Sequence, residues 1–492
     1  MELNDLTIRK LALPKGANIY FIGIGGSSMS GLALISKSHG YHVSGSDSTE
    51  SAATKKLVSA GISVIIGHSE ANVPRDTDLA VYTLAVAKEN PERLACERLG
   101  IPVVERGIFL GYIASHFSKT AAIAGVHGKT TTTSMVTTIL SHAGKKPGAH
   151  IGGVLSEIGS NVLVGSSDYF VTEACEYHNN FLHLSPFVST ILNLEPEHLD
   201  WFKTYGNMKE AFYSFGGNLP RDGYLVLSAD SKDTRACGSH TKAHIITYSL
   251  TRRKRPQRLK NALGEPVLMH FNAENCRVED RKDLSPEEYI RRGYSFTLML
   301  NGEHFADVTL NVPGLHNVMD AMAAAAVALS LGCTPSEIKN GLEEFKGTGR
   351  RYEYVGKTAE GAFVVSDYAH HPSEIKITLD AAGSNAPGKL LAVFQPHLYS
   401  RANRFKQKFP DAVRAADKVI ITDIFAAREK DNGRINSARL CDIMLEHGID
   451  AEYVSDFNDV ASRLLFLAGK NDMIMLLGAG SVNKIADLLV EK

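Results

Sequence analysis

Short apolar runs that end in glycine recur along the chain, and each leads into a stretch of helical character. Residues 18–23 (NIYFIG) make the first such run, 28–40 the helix after it, and 41–45 (YHVSG) the next strand. A further strand is predicted within 72–84. Strands separated by helices imply a parallel α/β sheet. The pattern restarts at 120–124 and continues through 169–173 (YFVTE), 188–194 (VSTILNL), 294–300 and a helix over 317–331. A third restart places strands at 362–367, 390–394, 418–423 and 473–477. The prediction is three α/β domains in series, bounded at 1–117, 118–346 and 347–492. The rhythm breaks over 251–293, where Arg252, Arg253, Lys254 and Arg255 open a charged passage. That stretch reads as a solvated surface insertion.

Composition narrows the function classes. The chain has 492 residues, 44% hydrophobic and 22% charged, so each domain can bury a core. Lys and Arg total 53 against 54 Asp and Glu, a net charge of −1. This argues against whole-surface attraction to nucleic acid or an anionic membrane, so any anion site must be local. No apolar run approaches the ~18 residues of a membrane span, and the first ten residues lack the apolar stretch of a signal peptide. Six cysteines lie scattered without a Cys-x-x-Cys pair, against zinc and against a disulfide framework. A soluble, cytoplasmic protein is expected.

Candidate chemistry gathers where strands end. Gly125-Val126-His127-Gly128-Lys129-Thr130-Thr131 follows a strand and opens a helix. Such a turn aims backbone N–H groups and a helix N-terminus at phosphate; Lys129 adds charge at the terminal phosphates and Thr130 can ligate Mg²⁺. The two-residue gap between Gly125 and Gly128 is shorter than in the usual phosphate-loop pattern. Gly23-Ile24-Gly25-Gly26-Ser27-Ser28 is similar in type, with Asp47 at the end of the next strand. It reads as a diphosphate site, a dinucleotide site or a ligand-free turn. Gly478-Ala479-Gly480-Ser481 is equally a binding loop or a structural one.

Glu173 and His198 follow two strands of the second domain and could hold magnesium against the γ-phosphate. In the third, Asp367-Tyr368-Ala369-His370-His371-Pro372 and Gln395-Pro396-His397-Leu398-Tyr399-Ser400-Arg401 also follow strands. Adjacent histidines on extended chain point apart, so one is expected to pack and the other to face the ligand edge. Arg401 adds a cation there, and Arg350 with Arg351 could reach phosphates from the junction of the second and third domains.

With these motifs together, and with Asn193, 314–320 (GLHNVMD) and 426–430 (AAREK), the chain resembles the Mur ligase family over nearly its whole length. The paired patterns at 367–372 and 395–401 point to the alanine-adding branch, with the branch that recycles a murein tripeptide as the alternative. The resemblance implies a Rossmann-like first domain, a central P-loop ATPase domain and a Rossmann-like third domain. It implies ATP and Mg²⁺ as cofactors, and UDP-N-acetylmuramate and L-alanine as partners, in a monomer or homodimer making a peptidoglycan precursor. Gly23, Gly25, Gly26, Ser27, Asp47 and His68 would hold the UDP moiety. Gly125, Val126, His127, Gly128, Lys129, Thr130, Thr131, Asn317 and Arg350 would hold ATP, with Asn317 at the adenine. Thr130, Glu173 and His198 would hold the metal, and His370 and Arg401 would face alanine and the reacting phosphoryl group. The chain departs from the family pattern at Cys175, where Asp is usual, at Leu398, where a basic residue is frequent, and at Asp320, where Asn is common.

Two other function classes use the same residues. A nicotinamide oxidoreductase would employ the turn at 23–28 with Asp47, and a non-catalytic nucleotide regulator would need only the turn at 125–131.

Overall fold

The computed structural model describes residues 2–11, 13–251, 254–279, 284–427, 429–431 and 433–490. The predicted Arg252, Arg253 and Arg428 lie outside them. By density of contacts the chain divides into two units. The first comprises 1–274, 298–306 and 320–342, and the second 275–297, 307–319 and 343–492.

The first unit opens with an all-parallel sheet in the order Glu2–Leu3, Val103–Glu105, Leu79–Tyr82, Asn18–Ile22, His42–Asp47, Ser63–Ile66. Strand order reverses beside Asn18–Ile22, so its carboxyl end, carrying Gly23, lies at the switch point where α/β sheets bind ligands. The strand is buried along nearly its whole length, which is why it reads as a continuous apolar run rather than an alternating one.

The second sheet places Lys119–Ala124 between Tyr169–Glu173 and Val188–Ile191, all parallel. Tyr224–Ser228, His244–Ser249 and Met269–Val278 continue it on one side, and the hairpin of Gly148–Leu155 and Ser160–Leu163 closes the other. The helix Lys129–His142 (KTTTTSMVTTILSH) is poor in strong helix formers. It folds because Thr132 through Leu140 are all buried against the sheet, and Thr137 returns its hydroxyl to the Thr133 carbonyl at 2.8 Å.

The stretch 251–293 is not simply a solvated insertion. Val267, His270 and Phe271 are fully buried, and Met269–Val278 pairs in parallel with His244–Ser249. Its charged beginning hid an interior strand of the sheet, beyond which Tyr294–Leu300 and Glu303–Thr309 continue it.

The second unit carries a sheet ordered Glu353–Lys357, Phe363–Asp367, Met473–Leu477, Leu390–Phe394, Lys418–Ile421, Ala451–Tyr453. It is parallel except for its first strand. Its central strands are wholly buried between two apolar layers, led by Phe363, Phe394 and Leu440 on one face and Val364, Val393 and Leu464 on the other.

Candidate active site

The turn after Lys119–Ala124 leaves no room for a side chain at Gly128. Gly128 has φ +85°, and a Cβ there would sit 2.6 Å from the Asp320 carboxylate. Gly128 is also the N-cap of the helix Lys129–His142, and no side chain caps it. Helices elsewhere in the first unit are closed by Ser51 and Asn90. The uncapped helix therefore presents its first N–H groups to an anion. Asn193 clamps the turn, accepting from His127 N at 2.9 Å and donating to His127 O at 3.0 Å. Thr130 is buried in the first helical turn, and Thr131 is partly exposed beside it.

Lys129 does not stand alone. Its ammonium donates to the carbonyls of Gly125 and Val126, the latter at 3.2 Å, and to Glu176 at 3.0 Å. Glu176 is almost completely buried and also lies 3.4 Å from His198 Nε2. Burial alone would lower the Lys129 ammonium, but Glu176, together with Cys175 and Glu173, outweighs it and lifts the group above its ordinary range. Burial likewise opposes the Glu176 charge, yet Lys129 and His198 hold this carboxyl down at about 2. Glu173, at the end of its strand, accepts from Gly152 N at 2.6 Å and adds to the negative field at Lys129. His198 sits at φ +52° at the start of Leu199–Phe202. Sequence reasoning paired His198 with Glu173 and missed Glu176. The signal was present, since Glu176 follows the same strand end by three residues.

The turn at 23–28 is built alike and closed differently. Gly26 is the N-cap of Ser27–Ser38, again with no side-chain cap. Asp47 Oδ2 accepts from Gly25 N at 2.8 Å. In the dinucleotide reading this acid would bind a ribose, whereas here it is engaged by the turn itself. A Cβ on Gly25 would come 2.8 Å from Thr54 Cγ2 and 2.9 Å from Asp47 Oδ2, so the backbone approach depends on glycine. The 148–163 hairpin reaches this turn: Asn161 Nδ2 donates to Ser27 O at 2.9 Å, and His150 Nε2 lies 3.0 Å from Ser28 Oγ. His68 belongs to a buried network in which Glu92 accepts from Asn72 at 2.8 Å and lies 3.0 Å from His68 Nδ1.

In the second unit, Asp367 ends its strand and accepts from Tyr352 N and Ala369 N, both at 2.7 Å. His371 is the packed histidine: it is buried, caps Pro372–Asn385 and meets the Phe405 ring edge-on at 4.6 Å. His370 is the more exposed of the pair. Its Nδ1 lies 3.0 Å from the Tyr368 carbonyl, which fixes the proton on Nδ1 and leaves Nε2 as the basic ring nitrogen. Arg401 is buried, with Nη1 2.9 Å from His397 Nδ1. The His397 and His370 rings lie 5.6 Å apart.

The turn at 478–481 is braced by Gln395 and Arg350. Gln395 Oε1 accepts from Ser481 N and Val482 N at 2.8 and 3.0 Å. Arg350 donates to the carbonyls of Gly478 and Gly480. Asn317 donates to Pro313 O at 2.6 Å near the start of Leu315–Ser330.

Family models bear directly on this arrangement. The Mur ligase family catalytic domain matches residues 18–118, the Mur ligase middle domain 123–328, and the Mur ligase glutamate ligase domain 350–480. The chain belongs to the Mur ligase family. A UDP-N-acetylmuramate–L-alanine ligase of Acetivibrio thermocellus is 41% identical over 477 residues, covering 97% of this chain and 96% of the relative. The protein of the same name from Caldicellulosiruptor bescii is 40% identical over 96% of this chain and 98% of its own length. The crystal structure of the UDP-N-acetylmuramate–alanine ligase of Thermotoga maritima superposes with a TM-score of 0.77 at 26% identity, over 96% of this chain and 97% of that one. Among the described residues no helix is long and apolar enough to cross a membrane.

Proposed function

We propose that this chain joins L-alanine to the lactyl carboxylate of UDP-N-acetylmuramate at the expense of ATP, giving ADP and phosphate in peptidoglycan precursor synthesis. One observation carries the reading: an uncapped helix behind Gly128 presents Lys129 beside the buried Glu176, in a chain 41% identical over 97% of its length to a ligase of that name.

A free carboxylate is a poor acyl donor. Its oxygen attacks the γ-phosphorus of ATP, ADP leaves, and an acyl phosphate forms. The neutral amine of alanine then attacks the acyl carbon, the amide bond forms and phosphate departs. The chain's part is positioning and charge neutralisation. Lys129 and the N–H groups at the start of Lys129–His142 hold the phosphates, and Asn193 keeps the turn in shape. Thr130, Glu173 and His198 would hold Mg²⁺, which neutralises phosphate charge; hydroxyl and carboxylate oxygens suit this hard cation. The nitrogen that accepts the amine's proton is His370 Nε2, because Nδ1 is turned to the Tyr368 carbonyl. Arg401 serves the alanine carboxylate or the phosphoryl oxygens, with His397 bracing its guanidinium. Arg350 and Asn317 belong to the ATP site in this reading, with Asn317 at the adenine.

The turn at 23–28, with Ser27, Asp47 and His68, receives the UDP moiety. Domains bounded at 1–117, 118–346 and 347–492 divide these tasks, in a cytoplasmic monomer or homodimer.

Phosphate release by the purified chain tests the reading across UDP-N-acetylmuramate with and without L-alanine, glycine, serine and a murein tripeptide. Release that needs both the UDP-sugar and L-alanine is expected. Release with the tripeptide and none with alanine would reassign the chain to the recycling branch.

A further inference from the structure

The ammonium of Lys129 has three N–H donors and three neighbours that take them: the carbonyls of Gly125 and Val126, and the Glu176 carboxylate. Contact with a phosphate therefore requires one of these bonds to be given up. The two carbonyls belong to the turn itself, whose next residue, His127, is clamped by Asn193. Glu176 is the only anion of the three, and an arriving phosphate repels it. It also has somewhere to turn, since His198 Nε2 lies 3.4 Å from its Oε1.

We propose that Glu176 is the positioning residue of the phosphate turn, competing with nucleotide phosphate for Lys129 and, before magnesium occupies His198, passing to that histidine when the phosphate takes its place. This rests on the reading of the 125–131 turn as the nucleotide site. Its consequence is that the strand-end acid and the loop lysine act as a coupled pair. A carboxylate neutralises the buried ammonium until a phosphate does so, and nucleotide affinity is set below what the loop alone would give.

The experiment is equilibrium binding of ADP, without magnesium, to the full-length chain in a cycle of Lys129→Met and Glu176→Gln. Thermal unfolding of each variant comes first. Glu176→Gln should tighten ADP binding roughly tenfold, the scale of one charge-assisted hydrogen bond. In the Lys129→Met background the same change should shift affinity by less than about twofold, because there is no ammonium left to release. Equal tightening in both backgrounds would make Glu176 a fixed repulsive charge and overturn the exchange, as would no tightening in either. Should Glu176→Gln not fold, Glu176→Asp keeps the charge while drawing it back by one methylene. It should also tighten ADP, by a smaller factor, and unchanged or weaker binding overturns the proposal. A wild-type chain that binds no ADP would instead remove the nucleotide-turn reading itself.

Discussion

The first unit contains one architectural device twice, a buried parallel strand running through glycines into a helix that no side chain caps. The copies differ in the charged side chain that closes them. At 23–28 an acid from the neighbouring strand, Asp47, accepts a turn N–H. At 125–131 a lysine from the turn itself covers the turn's carbonyls and pairs with the buried Glu176. The backbone makes both turns receptive to phosphate, but its partner decides what an arriving phosphate meets. In one place that is an acid already bound to the amide, and in the other a cation already bound to an acid.

The sharpest way to break this contrast is at Lys129. Lys129→Ala should lower turnover on the order of 10²-fold or more. It should also lower stability in denaturant unfolding, because the buried Glu176 carboxylate loses its ammonium and keeps only His198. Adding Glu176→Gln should return most of that stability and none of the activity. A Lys129→Ala chain as stable as wild type would show that the pair is not coupled in folding.

Glu173→Gln comes next. It keeps the shape and removes a charge expected at the metal, so turnover should fall roughly 10²-fold, with partial recovery at high magnesium. His198→Ala should shift the magnesium dependence in the same sense. Unchanged magnesium titrations in both variants would separate this cluster from the metal.

The first turn should respond in a different currency. Gly25→Val meets Thr54 and Asp47 at less than 3 Å, and should raise the KM for UDP-N-acetylmuramate about tenfold while leaving that for ATP within about twofold. Equal changes in both constants would mean that the two turns do not serve separate ligands.

The last effect, on stability alone, concerns His150, which touches Ser28 of the first turn. Burial, with a contribution from Arg106, lowers its imidazole from 6.5 to about 4. The unfolded chain therefore takes up a proton as pH falls through 6.5 while the folded chain does not. Stability present above pH 6.5 is lost on acidification toward pH 4, by at most about 3 kcal/mol. His150→Gln should flatten that part of the stability–pH curve, and an unchanged slope would assign it to other groups.

Much of this was legible in the chain. Buried parallel strands are continuous apolar runs, so 169–173, 390–394 and 473–477 could be placed to the residue. The turn at 125–131 stood out because glycine, lysine and threonine lie next to one another in sequence. The helix Lys129–His142 was expected only from the company it keeps, since its threonines do not favour it.

Sequence by itself determined the parallel α/β class and the family, because those depend on local order and spacing. Tertiary structure decided the partnerships. It gave Lys129 to Glu176, Asp47 to Gly25, Arg401 to His397 and the Gly478 turn to Gln395 and Arg350. It also drew part of 251–293 into a sheet that its charged beginning concealed. A buried charge must find a counterpart wherever the fold brings one within reach, and that reach is set by strand order across the sheet rather than by distance along the chain.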